Sequence, residues 1–320
     1  LIETRLRERR EMSRHVFGPV ASRRLGRSLG IDLVPFKTCS YNCIYCQLGP
    51  TTNLTVERRE WVPFDQILEE ARRKIPPAAG VDYITFSGSG EPTLHSRIGE
   101  IIHEFKRLTS IPIAVLTNGS LLWRADVEDD LLEADLVIPS LDAPDAGLFR
   151  YVNRPHPGLA FDTMVDGLIR FRERCRGKMW LEVFLLAGIT GMESEVKRIA
   201  SLARRIRPDR VQLTTATRPA AMDFVEPVPD EDLQGYARLF DIPAAAVPAL
   251  CPLARHVLSK TNRDEILSLL ARRPCTIQDI AAGLGIPAAE AEKYVADLEA
   301  HGRLVRKRSK GTIYYAAEPV

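Results

Sequence analysis

The sequence predicts an α/β chain: a partial (β/α)6 TIM-like barrel followed by a small C-terminal winged helix-turn-helix domain. Three observations lead there. From Ile31 onward, short apolar runs alternate with stretches of helical period, the pattern of parallel strands joined by crossover helices. Polar residues follow those runs immediately, and strand ends are where parallel α/β barrels place their chemistry. A Pro-rich stretch over 218–229 and a Pro/Ala stretch up to 252 then separate this region from a short tail with helical period and a hairpin signal.

The apolar runs at 31–34, 81–86, 111–116, 135–139, 180–186 and 210–213 read as strands. Between them, Ile67, Leu68, Ala71 and Ile75 share one helical face, as do Ile98, Ile101, Ile102 and Phe105; further helices are expected around 127–132 and over 161–171 and 193–206. Six strand–helix units fall short of a closed eightfold barrel, hence the partial one. An open doubly wound sheet is the alternative, but no GxGxxG follows an early strand. These signals divide the chain into a barrel over 1–240, with 1–30 as an N-terminal extension, a linker over 241–260 and a winged helix over 261–320. In the last, helices are expected over 263–270, 277–282 and 287–300, with Thr276 as a cap. A hairpin then pairs Leu304 and Val305 with Ile313, Tyr314 and Tyr315.

At 320 residues and 45% hydrophobic composition the chain can bury a substantial core. Its formal net charge is +2, from 44 Lys+Arg against 42 Asp+Glu, so it is not a polyelectrolyte that coats nucleic acid, and any basic partner site must be local. The first residues lack an apolar core of signal-peptide length, and no stretch is apolar enough to span a bilayer. A cytoplasmic, membrane-free protein is expected, with Met12 as a candidate start.

The densest chemical signal is Cys39, Cys43 and Cys46 in a CxxxCxxC loop after the first strand. Three thiols so spaced can hold three corners of a [4Fe-4S] cube, which asks for four cysteines when closed, and leave one iron open. A zinc site completed by a distant His or Cys remains a reading of the same residues. Behind the later strands come Ser89, Gly90 and Glu91 before Pro92, then Asn118 in Thr-Asn-Gly, then Ser140, then Gly188 and Ile189. Glycine lets backbone approach a ligand closely, and Glu91 can accept from an ammonium.

With these residues the chain resembles the radical S-adenosylmethionine (SAM) superfamily. The resemblance implies that SAM chelates the open iron, that Tyr45 lies beside the adenine, and that Ser89 to Glu91 match the GGEP motif holding the SAM amino group, with Ser in place of its first Gly. It places Asn118 and Ser140 at ribose and carboxylate contacts and Gly188 and Ile189 on the adenine side. The implied chemistry is reductive SAM cleavage to a 5'-deoxyadenosyl radical that abstracts hydrogen from a substrate. An external electron donor of flavodoxin or ferredoxin type follows. The stretch from Gly18 through Gly49 is similar to the wyosine-synthetase-like branch, although no cysteine precedes Cys39 to form that branch's second cluster.

Arg23, Arg24 and Arg27 before the cysteines, with Lys37, Arg154 and Arg218 in loops expected at the barrel mouth, suit a phosphate or carboxylate. An anionic substrate is therefore expected, a nucleotide or RNA among the candidates. The winged helix has a basic wing, Arg306, Lys307, Arg308 and Lys310. Its groove-reading helix opens Ala288-Ala289-Glu290-Ala291-Glu292, which carries no base-reading side chain. Nucleic-acid backbone, a peptide or another protein is expected to dock there. A peptide-maturing enzyme and an iron–sulfur DNA-binding regulator are the alternative functions.

Overall fold

A computed structural model of the chain describes residues 15–75, 80–248 and 263–318. Its centre is an eight-stranded sheet. Gly26–Ile31 (β2), Tyr83–Phe86 (β5), Ile113–Thr117 (β6), Leu136–Pro139 (β7), Lys178–Leu185 (β8) and Arg210–Thr215 (β9) form a six-strand parallel run; the last five overlap the expected runs, whereas the first expected strand, 31–34, meets β2 only at Ile31. Val16–Ser22 (β1) pairs antiparallel with β2 at one edge, and Ala244–Ala246 (β10) pairs parallel with β9 at the other. Two short segments, Thr38–Cys39 (β3) and Asn53–Leu54 (β4), pair with each other and close the base of the cysteine loop.

The helices are amphipathic and pack one face on the outer side of this sheet. In Ile98–Leu108 (α2), Ile98, Ile101, Ile102 and Phe105 are all fully buried, at the positions read from the sequence. Phe64–Lys74 (α1), Ala125–Asp130 (α3), Ala146–Val152 (α4), Phe161–Arg174 (α5) and Glu193–Ile206 (α6) complete the layer, and Asp230–Tyr236 (α7) follows β9. One large core joins these helices to the strand residues facing them, such as Ile113, Val115, Leu181, Val183, Val211 and Leu213.

Because successive strand residues face opposite sides, the alternate positions define an inner face. Ala114, Leu136 and Ile138 bury there with Leu25, and Trp180, Glu182, Phe184, Gln212 and Thr214 follow the same parity. Leu25 belongs to the turn between β1 and β2. The described part of the expected N-terminal extension, residues 15–30, therefore contains a hairpin whose turn packs on the inner face of the sheet. Likewise the expected linker over 241–260 begins with β10; its residues beyond 248 lie outside the described ones.

In the C-terminal part, Arg263–Leu270 (α8), Ile277–Leu284 (α9) and Ala288–Ala300 (α10) precede the antiparallel hairpin Leu304–Ser309 (β11) and Thr312–Ala317 (β12). This is the element order expected of a winged helix. Thr276 caps α9 through a reciprocal box with Asp279. The small core of Ile266, Leu270, Ile280, Leu284, Val295 and Leu298 takes Val20 of β1 against it. Arg272 lays its guanidinium over the Phe17 ring, 4.0 Å from the centroid, with Nε 3.9 Å from Asp32. Among the described residues no helix is long and apolar enough to cross a membrane.

Candidate active site

The cysteine loop lies beyond the carboxyl end of β2 and is fastened from several sides. Asn42 N–H donates to the Asn153 and Arg154 carbonyls, Ile44 N–H to the Val152 carbonyl, and Ile44 carbonyl accepts from Met222 N–H. Each sulfur meets one nitrogen donor from a different part of the chain. Lys37 Nζ is 3.1 Å from Cys46 Sγ, Asn118 Nδ2 is 3.6 Å from Cys39 Sγ, and Asn153 Nδ2 is 3.6 Å from Cys43 Sγ. Burial pushes the Cys39 thiol up to about 12, and Glu91 adds to the shift; Cys43 is also raised, by burial first and then by Asp142. A thiol so placed is a poor nucleophile at neutral pH, whereas a metal can displace its proton.

Among the described residues no three Cys, His, Asp or Glu side chains converge on a single ion position. The donor set fits an iron–sulfur cube: one loop, three sulfurs, and a nitrogen donor facing each of them.

Around this loop the predicted residues fall into two groups. Those brought together begin with Gly90, where a Cβ would meet the Thr38 carbonyl oxygen at 1.8 Å, so only glycine lets this segment press on the cysteine loop. Ser89 is held from below: its N–H and hydroxyl both donate to Asp32, at 3.0 and 2.5 Å. Asn118 bridges Ser40 and Cys39. Ser140 directly follows β7 and forms a parallel backbone bridge with Glu182. Tyr45 stacks on Phe184 with centroids 4.0 Å apart, donates its hydroxyl to Asp142, and shares a small apolar cluster with Ile189. Gly188 forms the turn before Ile189 at φ 69°.

Glu91 departs from its expected role. Instead of facing an ammonium, its buried carboxylate accepts from Thr93 N–H, Thr93 hydroxyl, Thr117 hydroxyl and Asn118 N–H, at 2.6 to 3.1 Å. Burial raises its pKa while these four bonds pull the other way. Its role is to tie the turn after β5 to the end of β6.

The basic residues are not gathered as one patch. Arg24 forms a two-pronged ion pair with Glu182 on the inner face, and Thr214 hydroxyl also donates to Glu182. Arg23 Nη1 donates to Thr217 hydroxyl at 2.9 Å. Arg27 N–H donates to Asp82 below β5, away from the cysteines. Lys37 is buried at a left-handed φ of 58° with its ammonium committed to Cys46. Arg154, also left-handed at φ 43°, backs the cysteine loop through its carbonyl. Arg218 is buried against Asp279 of α9 at 3.3 Å and joins the C-terminal part to the barrel.

Residues not singled out from the sequence as site residues include Asp32, Asp142, Asn153, Glu182 and Gln212. Glu182 had a readable signal, a carboxylate inside an apolar strand. Gln212 Oε1 is buried without a hydrogen-bond partner among the described residues. Asp142 accepts from Tyr45, Asn153 and the Phe184 N–H, and burial raises it to about 6.

A family model of the radical SAM superfamily matches residues 33–215, from the cysteine loop to the end of β9. The chain belongs to the radical SAM superfamily. Among curated relatives, a Brachyspira hyodysenteriae protein named GTPase Obg is 39% identical over 307 residues, 95% of this chain and 45% of its own length. The chain thus spans less than half of that relative. A UPF0026 protein of Helicobacter pylori is 33% identical over 94% of this chain and 97% of its own. A Pyrococcus abyssi protein named S-adenosyl-L-methionine-dependent tRNA 4-demethylwyosine synthase is 27% identical over 138 residues, 37% of this chain and 40% of its own. The crystal structure of a radical SAM methyltransferase from Sphaerobacter thermophilus superimposes with a TM-score of 0.51 at 19% identity, covering 70% of this chain and 69% of that one. That likeness supports the TIM-like partial-barrel fold. This radical SAM protein is an enzyme, and the cofactors of its family are a [4Fe-4S] cluster and SAM.

Proposed function

We propose that Cys39, Cys43 and Cys46 hold the cluster, that Tyr45, Ser89, Gly90, Asn118, Ser140, Gly188 and Ile189 line the SAM site, and that the enzyme abstracts hydrogen from an anionic substrate of nucleotide or RNA type. The observation that carries this reading is the trio of sulfurs, each facing its own N–H donor, at the carboxyl ends of parallel strands. When bound, the cluster supplies the electron that cleaves SAM. The protein orients and encloses. Asp32 fixes Ser89, Glu91 fixes Asn118, and Asp142 with Asn153 fixes the Tyr45 ring. The inner-face pair of Arg24 and Glu182, with Gln212, supplies polar groups to a substrate below the cysteine loop.

The similarity to a protein named for tRNA wyosine chemistry supports an RNA or nucleotide substrate. That similarity covers 37% of this chain, and the relative's particular reaction is not carried over. A DNA-binding regulator is the weaker reading, because Lys310 of the basic hairpin is engaged by Val225 and Glu226 of the same chain. The electron donor is a flavodoxin or ferredoxin type protein, and the compartment is the cytoplasm.

The anaerobically reconstituted, reduced protein is expected to convert SAM to 5'-deoxyadenosine. With deuterated cellular RNA or nucleotides present, deuterium should appear in that product. Reconstituted, reduced protein that leaves SAM intact would refute the assignment.

Lys37 gives a further expectation. A cation 3.1 Å from a ligating sulfur favours the reduced, more negative cluster. Lys37→Ala should therefore lower the cluster midpoint potential in an EPR-monitored redox titration, and an unchanged potential would remove Lys37 from this role.

A further inference from the structure

We infer that the cleft between the loop after β9 and the C-terminal hairpin binds the phosphate of a nucleotide, free or within a single RNA strand, and presents that nucleotide to the barrel mouth. The inference rests on the radical SAM reading of the barrel and adds to it the place where the substrate is held.

The cleft has a volume of about 760 Å³. That lies within the range of pockets that enclose a small ligand and suits a nucleotide rather than a duplex. One wall carries Gln47 and Gly49, within three residues of Cys46, and Thr217 and Arg218; the other carries Lys307 and Arg308 of the hairpin. A phosphate held between these walls lies beside the residues that continue the cysteine loop.

The charges favour an anion. Of the hairpin's four basic residues, Arg306 is spent on Glu299 and Lys310 on Glu226. Lys307 and Arg308 line the cleft and make no ion pair among the described residues. Asp223 and Glu226 are the acidic residues of the lining, and Glu226 is already taken by Lys310. At the base, the Arg218 side chain is 7% exposed and its Nε is buried without a hydrogen-bond partner among the described residues. Arginine and lysine at a backbone-tracking groove are the usual means of holding phosphate.

The same arrangement argues against a duplex on α10. Tyr314 hydroxyl donates to the Thr217 carbonyl at 3.3 Å and Lys310 Nζ to the Val225 carbonyl at 3.2 Å, so the hairpin is turned towards its own barrel. The helix itself opens with Glu290 and Glu292, which repel phosphate.

The test uses the full-length protein, a short labelled single-stranded RNA read by fluorescence anisotropy, and the four nucleoside monophosphates as competitors. The RNA is expected to bind. Competition by a monophosphate at similar concentration would mark a free nucleotide as the source, and failure of competition a strand. Lys307→Glu with Arg308→Glu should weaken binding at least about tenfold and lower the salt slope by roughly two. Lys293→Glu on α10 should leave it within about twofold. Absence of binding to both probes, an unaffected double variant, or an equal loss from Lys293→Glu would overturn the inference. Formation of 5'-deoxyadenosine without RNA, measured on the same preparation, reports separately on the barrel: intact SAM cleavage with no RNA or nucleotide binding discards the cleft alone.

Discussion

Replacing Glu91 with alanine is expected to lower the unfolding free energy by roughly 3–5 kcal/mol, the scale of losing a buried hydrogen-bond network. The carboxylate takes four hydrogen bonds, two from backbone N–H groups at Thr93 and Asn118 and two from hydroxyls at Thr93 and Thr117. Alanine leaves all four donors buried beside a cavity. The hydroxyls can rotate to other acceptors, but the two N–H groups are fixed by the backbone, so the cost is dominated by them. Glu91→Gln should lose less, because its carbonyl oxygen can still serve the Thr93 and Thr117 side, while its amide then opposes the Asn118 N–H. The effect also reaches function, since Asn118 bridges Ser40 and Cys39. Denaturant unfolding of the wild type and both variants measures the order. A Glu91→Ala protein within about 1 kcal/mol of wild type would show that the carboxylate does not hold the turn together.

Cys43→Ala is the second large effect: conversion of SAM to 5'-deoxyadenosine should fall to background. With Cys43 gone, only Cys39 and Cys46 remain on the loop, and the Asn153 amide loses its sulfur acceptor. A cube held at two corners is open at two irons and is lost on handling. Cys175→Ala is the matching control. That thiol ends α5, its sulfur facing the Gly177 carbonyl, and belongs to no group near the loop. Iron and acid-labile sulfide content should drop for Cys43→Ala alone. Equal losses from both substitutions would mean that the effect is general instability.

Much of this could be read from residue order because the barrel strands are continuous apolar runs and their helices carry one clean face. The bounds of α6 and α8 coincide with the periodicity, since both begin and end where the apolar spacing does. The hairpin of β1 and β2 was hidden. Its residues are rich in glycine and arginine, and its strand character comes from pairing with β5 and from Leu25 packing on the inner face, which are contacts made far along the chain. The short α4 was missed because seven residues show no period, although Asp145 capping Gly147 and Leu148 was a usable sign.

The site divided in the same way. The cysteine spacing and the strand-end residues are local text and could be read directly. Whether an arginine faces a substrate or a carboxylate is a question of partners. Glu182 answers it for Arg24 and Asp279 for Arg218, and both partners lie far off in sequence. Glu91 shows the complementary limit: an acidic residue at a strand end looks like a ligand group until the donors that surround it are known.

The central claim is that three sulfurs of one loop hold a cube with one iron open to SAM. It is tested most directly by the EPR spectrum of the anaerobically reconstituted, dithionite-reduced protein before and after SAM is added. The account predicts a reduced [4Fe-4S] signal whose g-values shift when SAM binds. A preparation that retains zinc at the cysteines, or a cluster signal that SAM leaves unchanged, would contradict it.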